Sequence, residues 1–220
     1  MPYQPLTLFV RTAFLCVPEL DDEAIAVIFG ALKAHLPAAI LHQSIAARNQ
    51  RNWVEEILRR WCDEEEVDLV ITIGGTLPAP GPSSAEIVPE ATQSVVERLV
   101  PGLAEAMRFH AQRESALAWL DRGIVGIRGR SLLLNLPAGA APALLFFTPV
   151  AELTAPLLAH LQADVAAPQL ADVLVLQQDN PAAVIAEEES LRPSAQPEQR
   201  KGLDAEEFAA FLARRTKSAK

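Results

Sequence analysis

The run VDLVITIGGT (residues 67–76) sets a short apolar segment, rich in β-branched residues, directly against two glycines and a threonine. An apolar run of this length reads as a strand buried on both faces, which means a central strand of a parallel sheet covered by helices. Ligands of open α/β sheets bind at the carboxyl ends of the strands, so a glycine loop at that point is a candidate ligand site. The segment that follows, LPAPGPSSA (77–85), is too rich in Pro, Gly and Ser for regular structure and reads as a surface loop.

Working outward toward the N-terminus, Thr7–Val17 has the composition of a buried strand and is closed by Pro18. Asp21, Asp22 and Glu23 then place negative charge in the first turn of a helix, and Ile25, Ile28, Phe29 and Leu32 recur at helical spacing. Ala39–Ile45 is a second strand candidate, and Asn52–Arg60 an amphipathic helix with Trp53, Ile57 and Trp61 on one side. Toward the C-terminus, Pro89 opens a helix through Arg98, and Pro101-Gly102 punctuates before another over Leu103–Gln112. Ser131–Leu136 is the next strand, and Ala143–Gln162 a helical stretch that Pro149 and Pro156 should kink or divide. This alternation predicts an α/β sandwich with a mainly parallel sheet over residues 1–162. Residues 163–220 read as an extension: a strand over Ala171–Leu176, a Pro- and Glu-rich linker over Asn180–Lys201, and an amphipathic helix over Asp204–Arg215 that docks on the parent domain or a neighbouring subunit.

The composition sets the broad class. Half of the 220 residues are hydrophobic and the mean hydropathy is +0.15, which excludes a wholly disordered chain. A net charge of -9 argues against non-specific nucleic-acid binding and against anionic membranes, while leaving room for a local basic pocket that takes a small anion. Cys16 and Cys62 lie in no metal or disulfide spacing and read as reduced thiols of a cytoplasmic protein. The N-terminus lacks a basic region before its apolar run, against a secretory signal. The uncharged window Ser131–Ala151 has the length of a membrane span but is broken by Asn135, Pro137, Gly139, Pro142 and Pro149. His35, His42, His110 and His160 form no ligand set and read as surface or boundary residues; Trp53, Trp61 and Trp119 read as core. No nucleophile elbow, Walker loop or dinucleotide fingerprint is present.

Five segments in fixed order carry a resemblance: VDLVITIGGT (67–76), IVPEAT (87–92), VPGLAEAMR (100–108), DRGIVGIRG (121–129) and LLLNLPAG (132–139). Together they resemble the molybdopterin-binding family that includes molybdopterin adenylyltransferase, its MoaB/MogA-type bacterial members and the G domain of gephyrin. The resemblance covers about a third of the chain closely. It implies a three-layer α/β/α sandwich, usually assembled as a trimer, whose active members transfer adenylate from Mg-ATP to molybdopterin. By that resemblance Gly74, Gly75 and Thr76 cradle phosphate, with glycine backbone amides approaching it closely and a threonine hydroxyl adding a donor. Glu86 holds Mg2+, Arg122 supplies a guanidinium fork for phosphate, and Asn135 with Pro137 and Gly139 shapes the pterin side.

The chain departs from the family pattern at several of these positions. Leu77 replaces a glycine after Gly-Gly-Thr, Glu86 replaces an aspartate beyond a longer loop, and Val88 replaces a threonine that would cap the next helix. Asn49 falls where a second aspartate of the catalytic set is expected, and Asp121 takes the place of a serine, putting an anion beside Arg122. Val17-Pro18-Glu19-Leu20 replaces a Ser-Asp-Arg signature, and Ala138 is an extra residue in the closing Leu-Pro-Gly. Some of these residues have a bland reading beside the functional one: a bare turn for Gly74-Gly75-Thr76, a solvated carboxylate for Glu86, an ion pair with Asp121 for Arg122. Two functions of different class follow, an adenylyl-transferring enzyme of molybdenum cofactor biosynthesis, or a non-catalytic relative that keeps the fold as a carrier, regulatory or oligomeric module.

Overall fold

The structure is a computed structural model and describes residues 9–78 and 87–162. Its elements run β1 (Val10–Cys16), α1 (Asp22–His35), β2 (Ala39–Ala46), α2 (Arg51–Asp63), β3 (Leu69–Ile73), α3 (Val88–Val95), β4 (Arg98–Leu99), α4 (Pro101–Ala111), a 3-10 turn (Ala116–Leu120), β5 (Val125–Arg128), β6 (Ser131–Leu136) and α5 (Ala140–Leu161). The expected strand over 171–176, linker over 180–201 and helix over 204–215 lie outside the described residues, as does Glu86.

The strands form one sheet in the order β2-β1-β3-β6-β5-β4. β1 pairs in parallel with both β2 and β3, and β3 with β6, so the central strands all point their carboxyl ends the same way. Their sequences explain why these three sit in the middle. Every residue of β3 and β6 is buried, and so is β1 apart from Arg11. The pleat divides these side chains between two cores. Phe14, Leu69, Ile71, Leu132 and Leu134 join α1, α4 and α5 on one face, while Leu15, Val70 and Leu133 join α2 and α3 on the other. The result is a three-layer α/β/α sandwich.

The structure corrects the sequence reading in four places. β4 and β5, two and four residues long, form an antiparallel edge that periodicity could not register, and α3 ends at Val95 to make room for it. Pro149 and Pro156 do not divide the last helix, which runs unbroken for 22 residues because Phe146, Phe147, Val150, Thr154 and Leu158 bury one side of it across both prolines. Of the three tryptophans only Trp61 is core; Trp53 and Trp119 are more than half exposed. α5 is also long and apolar enough to cross a membrane by composition alone, but in the fold its apolar side packs against α1 and α4.

Candidate functional site

The chain leaves β1, β3 and β6 at one end of the sheet, and two backbone bonds keep the departures together. The Val17 amide donates to the Ile73 carbonyl and the Gly74 amide to the Leu136 carbonyl, both at 2.9 Å. Gly74 and Gly75 then turn the chain through φ of +99° and +67°, the left-handed region that glycine enters freely. The turn is also tight, since a Cβ on Gly74 would sit 2.2 Å from the Val17 carbonyl oxygen. Among the described residues the amides of Gly75, Thr76 and Leu77 donate to no protein acceptor. A turn at the carboxyl end of a central strand that leaves consecutive amides without a protein acceptor is a place where an anion can dock.

Thr76, expected to face the ligand, turns inward. It is 1% exposed, and its hydroxyl donates to Asp121 Oδ2 at 2.5 Å. Asp121, 5% exposed, also accepts the Gly123 amide at 2.8 Å. The Arg122 amide donates to the Thr76 carbonyl at 2.9 Å, so the loop is clamped through both main chain and side chain. Burial pushes the Asp121 carboxyl up, opposed by the Thr76 hydroxyl, the Gly123 amide and the positive charge of Arg108. Arg108 in turn donates to the Gly123 carbonyl, tying α4 to the same turn.

Asn135 is likewise interior rather than ligand-facing. Fully buried in β6, its amide nitrogen donates to the hydroxyls of Thr72 and Thr92, both at 2.9 Å, while its oxygen accepts the Ile124 amide at 3.1 Å. It stitches β3, α3 and the approach to β5 into one block, and no edge of the amide is left to read a pterin. Arg122 does reach the surface, where its guanidinium pairs with Glu90 at the start of α3. Glu90, the acidic residue in the first turn of α3, therefore belongs to the site's rim.

Pro137 is buried and Gly139 adopts φ of +92°. The Gly139 amide donates to Asp21 Oδ2 at 3.2 Å, while Asp21 Oδ1 accepts the Ala24 amide and so caps α1. Asp21 thus joins the β1 and β6 loops, a role its reading as a first-turn charge does not signal. Beside this link lies a cleft of about 460 Å3 bordered by Val17, Glu19, Asp21, Ile73 and Ala138. Asn49 is exposed at a separate pocket of about 400 Å3 with Gln50, Arg51, Asn52 and Ile87, where α2 begins. Leu77, half exposed, lines a third and almost wholly apolar pocket with Leu117, Pro137 and Phe146. Among the described residues no three His, Cys, Asp or Glu side chains come together as a metal site.

Residues 17–160 match the family model of the probable molybdopterin binding domain. The chain belongs to that family. The molybdopterin adenylyltransferase of Helicobacter pylori strain J99 is 42% identical over 96 residues, 44% of this chain and 52% of that protein. The molybdenum cofactor synthesis protein cinnamon of Drosophila melanogaster is 35% identical over 89 residues, covering 40% and 14%. This molybdopterin-binding domain chain spans about half the length of the bacterial adenylyltransferases it matches first. Among solved structures, the molybdopterin biosynthesis enzyme MoaB of Thermus thermophilus superposes with a TM-score of 0.63 at 31% identity, covering 70% of this chain and 98% of that one. A MogA structure superposes with a TM-score of 0.60 at 26% identity, covering 69% of this chain and 99% of that one. The MoaB/MogA-type resemblance carried by residues 67–139 is thereby shown at the level of sequence and of fold.

Proposed function

We propose that this molybdopterin-binding domain chain takes molybdopterin at the carboxyl ends of β1, β3 and β6 and serves in molybdenum cofactor biosynthesis, transferring adenylate from ATP to the bound pterin. The observation that carries the reading is the Gly74–Leu77 turn, in which the amides of residues 75–77 donate to no acceptor among the described residues, joined through the Thr76 carbonyl to the Arg122 amide. The amides would hold the terminal phosphate of the pterin, and Arg122, steered by Glu90, would share its fork with that phosphate. In the transfer step a phosphate oxygen of the pterin attacks the α-phosphorus of ATP, the bond to the bridging oxygen breaks, and pyrophosphate leaves with the electron pair.

The described residues do not by themselves fit a divalent cation: Asn49 carries no charge and no carboxylate cluster forms among them. Magnesium therefore rests on Glu86 in this proposal, and Glu86→Ala should abolish metal-dependent nucleotide binding; unchanged binding would remove Glu86 from the site. A cytoplasmic homo-oligomer, in the trimeric form the family resemblance implies, belongs to the same proposal. The test of the function is anaerobic incubation of the purified protein with molybdopterin and Mg-ATP, followed by assay of retained pterin and of adenylylated product. Product supports the enzyme. Retained pterin without product would establish a carrier in its place, and the absence of both would overturn the reading.

A further inference from the structure

We propose that Asp121 is the positioning residue of the ligand loop: it takes up the Thr76 hydroxyl, holds the 75–77 turn through that buried residue, and leaves capture of the ligand to the backbone amides of Gly75 and Leu77 on either side. The proposal rests on the reading that the ligand docks at this loop. Three observations meet here. The Thr76 side chain is buried and committed to Asp121, so it has no path to a ligand at the surface. The Thr76 carbonyl is held by the Arg122 amide, so the residue is anchored on two sides. Asp121 is itself fixed by the Gly123 amide, and the Gly123 carbonyl by Arg108 of α4, which extends the support from the loop into the helix layer. A carboxylate in this place can only accept; it cannot serve an anionic ligand as a donor, but it can hold a hydroxyl in one rotamer.

The alternative, in which the Thr76 hydroxyl donates to the ligand, makes the opposite prediction for Asp121. Freed from the carboxylate, that hydroxyl would bind better, and a buried negative charge beneath an anion site would be gone. The positioning role predicts that Thr76→Val weakens anaerobic molybdopterin binding roughly tenfold, for one lost charge-assisted bond, and that Asp121→Ala, which also strands the Gly123 amide, weakens it by at least that factor. The double variant should lose no more than Asp121→Ala alone, because Thr76→Val removes no bond that Asp121→Ala has not already removed. Thr76→Ser, which keeps the hydroxyl, should bind like the parent.

A ligand-free readout separates this proposal from the functional one. The Arg122 amide, bonded to the Thr76 carbonyl, should exchange hydrogen faster in Thr76→Val and in Asp121→Ala but not in Thr76→Ser, while the Gly74 amide, bonded to Leu136, keeps its rate. If the parent fails to take up molybdopterin, the functional reading falls and exchange still decides the latch. If Asp121→Ala does not fold, the Thr76→Val and Thr76→Ser pair decides it. Tighter binding by Asp121→Ala, additive losses in the double variant, or unchanged exchange at Arg122 in Thr76→Val would overturn the proposal.

Discussion

A methyl group at position 74 would meet the Val17 carbonyl oxygen at 2.2 Å, in a backbone whose φ is +99°. Neither the strand ladder nor the carbonyl can move far, so Gly74→Ala is expected to lower stability by more than about 2 kcal/mol, read from the midpoint of urea unfolding. Gly30 makes the internal contrast. It lies exposed in α1 with nothing within 4 Å of its would-be Cβ, and Gly30→Ala should instead add about 0.5–1 kcal/mol through helix propensity. Asn135→Leu should cost roughly 3 kcal/mol, since it strands the Ile124 amide and removes the partner of the Thr72 and Thr92 hydroxyls. Calorimetry of the three variants checks the set. At this scale the glycine turn was legible in the sequence, but the direction in which Thr76, Asp121 and Asn135 face was not. Each is a polar residue in a motif, and whether it meets a ligand or a neighbour depends on burial created by residues far along the chain, as the Thr76–Asp121 bond across 45 positions shows.

Among the elements, α2 and β5 are joined by a two-pronged bond from Arg128 Nε and Nη2 to the two carboxylate oxygens of Asp63, at 2.8 and 2.6 Å. The Arg128 hydrogen bonds hold the Asp63 carboxyl below its ordinary range. A carboxyl lowered in the folded state contributes stability above its unfolded pKa and loses that contribution as pH falls through the folded value. Asp63 is half exposed, so the contribution is about 1 kcal/mol or less. Asp63→Asn should therefore be slightly less stable than the parent at pH 7, and the gap should close in the acid range below about pH 4, as measured by thermal unfolding across pH. Of the strands legible from sequence, β1, β3 and β6 are those whose burial on both faces writes an apolar run, and β2 reads over Ala39–Ile45 although it is half exposed; β4 and β5 are shorter than any period that could reveal them. The prolines of α5 misled for a related reason, because local backbone cost was outweighed by tertiary burial of Phe146, Phe147 and Leu158.

Across the whole described domain, two apolar cores back the sheet, and the carboxyl end of that sheet gathers the glycine turn, the Asp121 latch and the Arg122–Glu90 rim. The cysteines belong to the scaffold. Cys16 is fully buried and should not react with a disulfide reagent at pH 8 until the protein unfolds, while burial pushes the half-buried Cys62 thiol up to about 11, so it should react more slowly than a free thiol. The same burial makes Cys62 a source of alkaline sensitivity. A thiol raised in the folded state loses its contribution as pH rises from the ordinary thiol range toward 11, and Cys62→Ala should flatten that fall in stability.

At the centre of the proposed function, the β3 turn and Arg122 hold the pterin phosphate together. The decisive measurement is an anaerobic fluorescence titration of molybdopterin into the parent and into Arg122→Ala, with the melting temperature of each recorded. Saturable binding by the parent is expected, weakened roughly tenfold or more in the variant at nearly unchanged melting temperature. Equal affinity in the two proteins, or no saturable binding by the parent, would refute that role for the turn and the arginine.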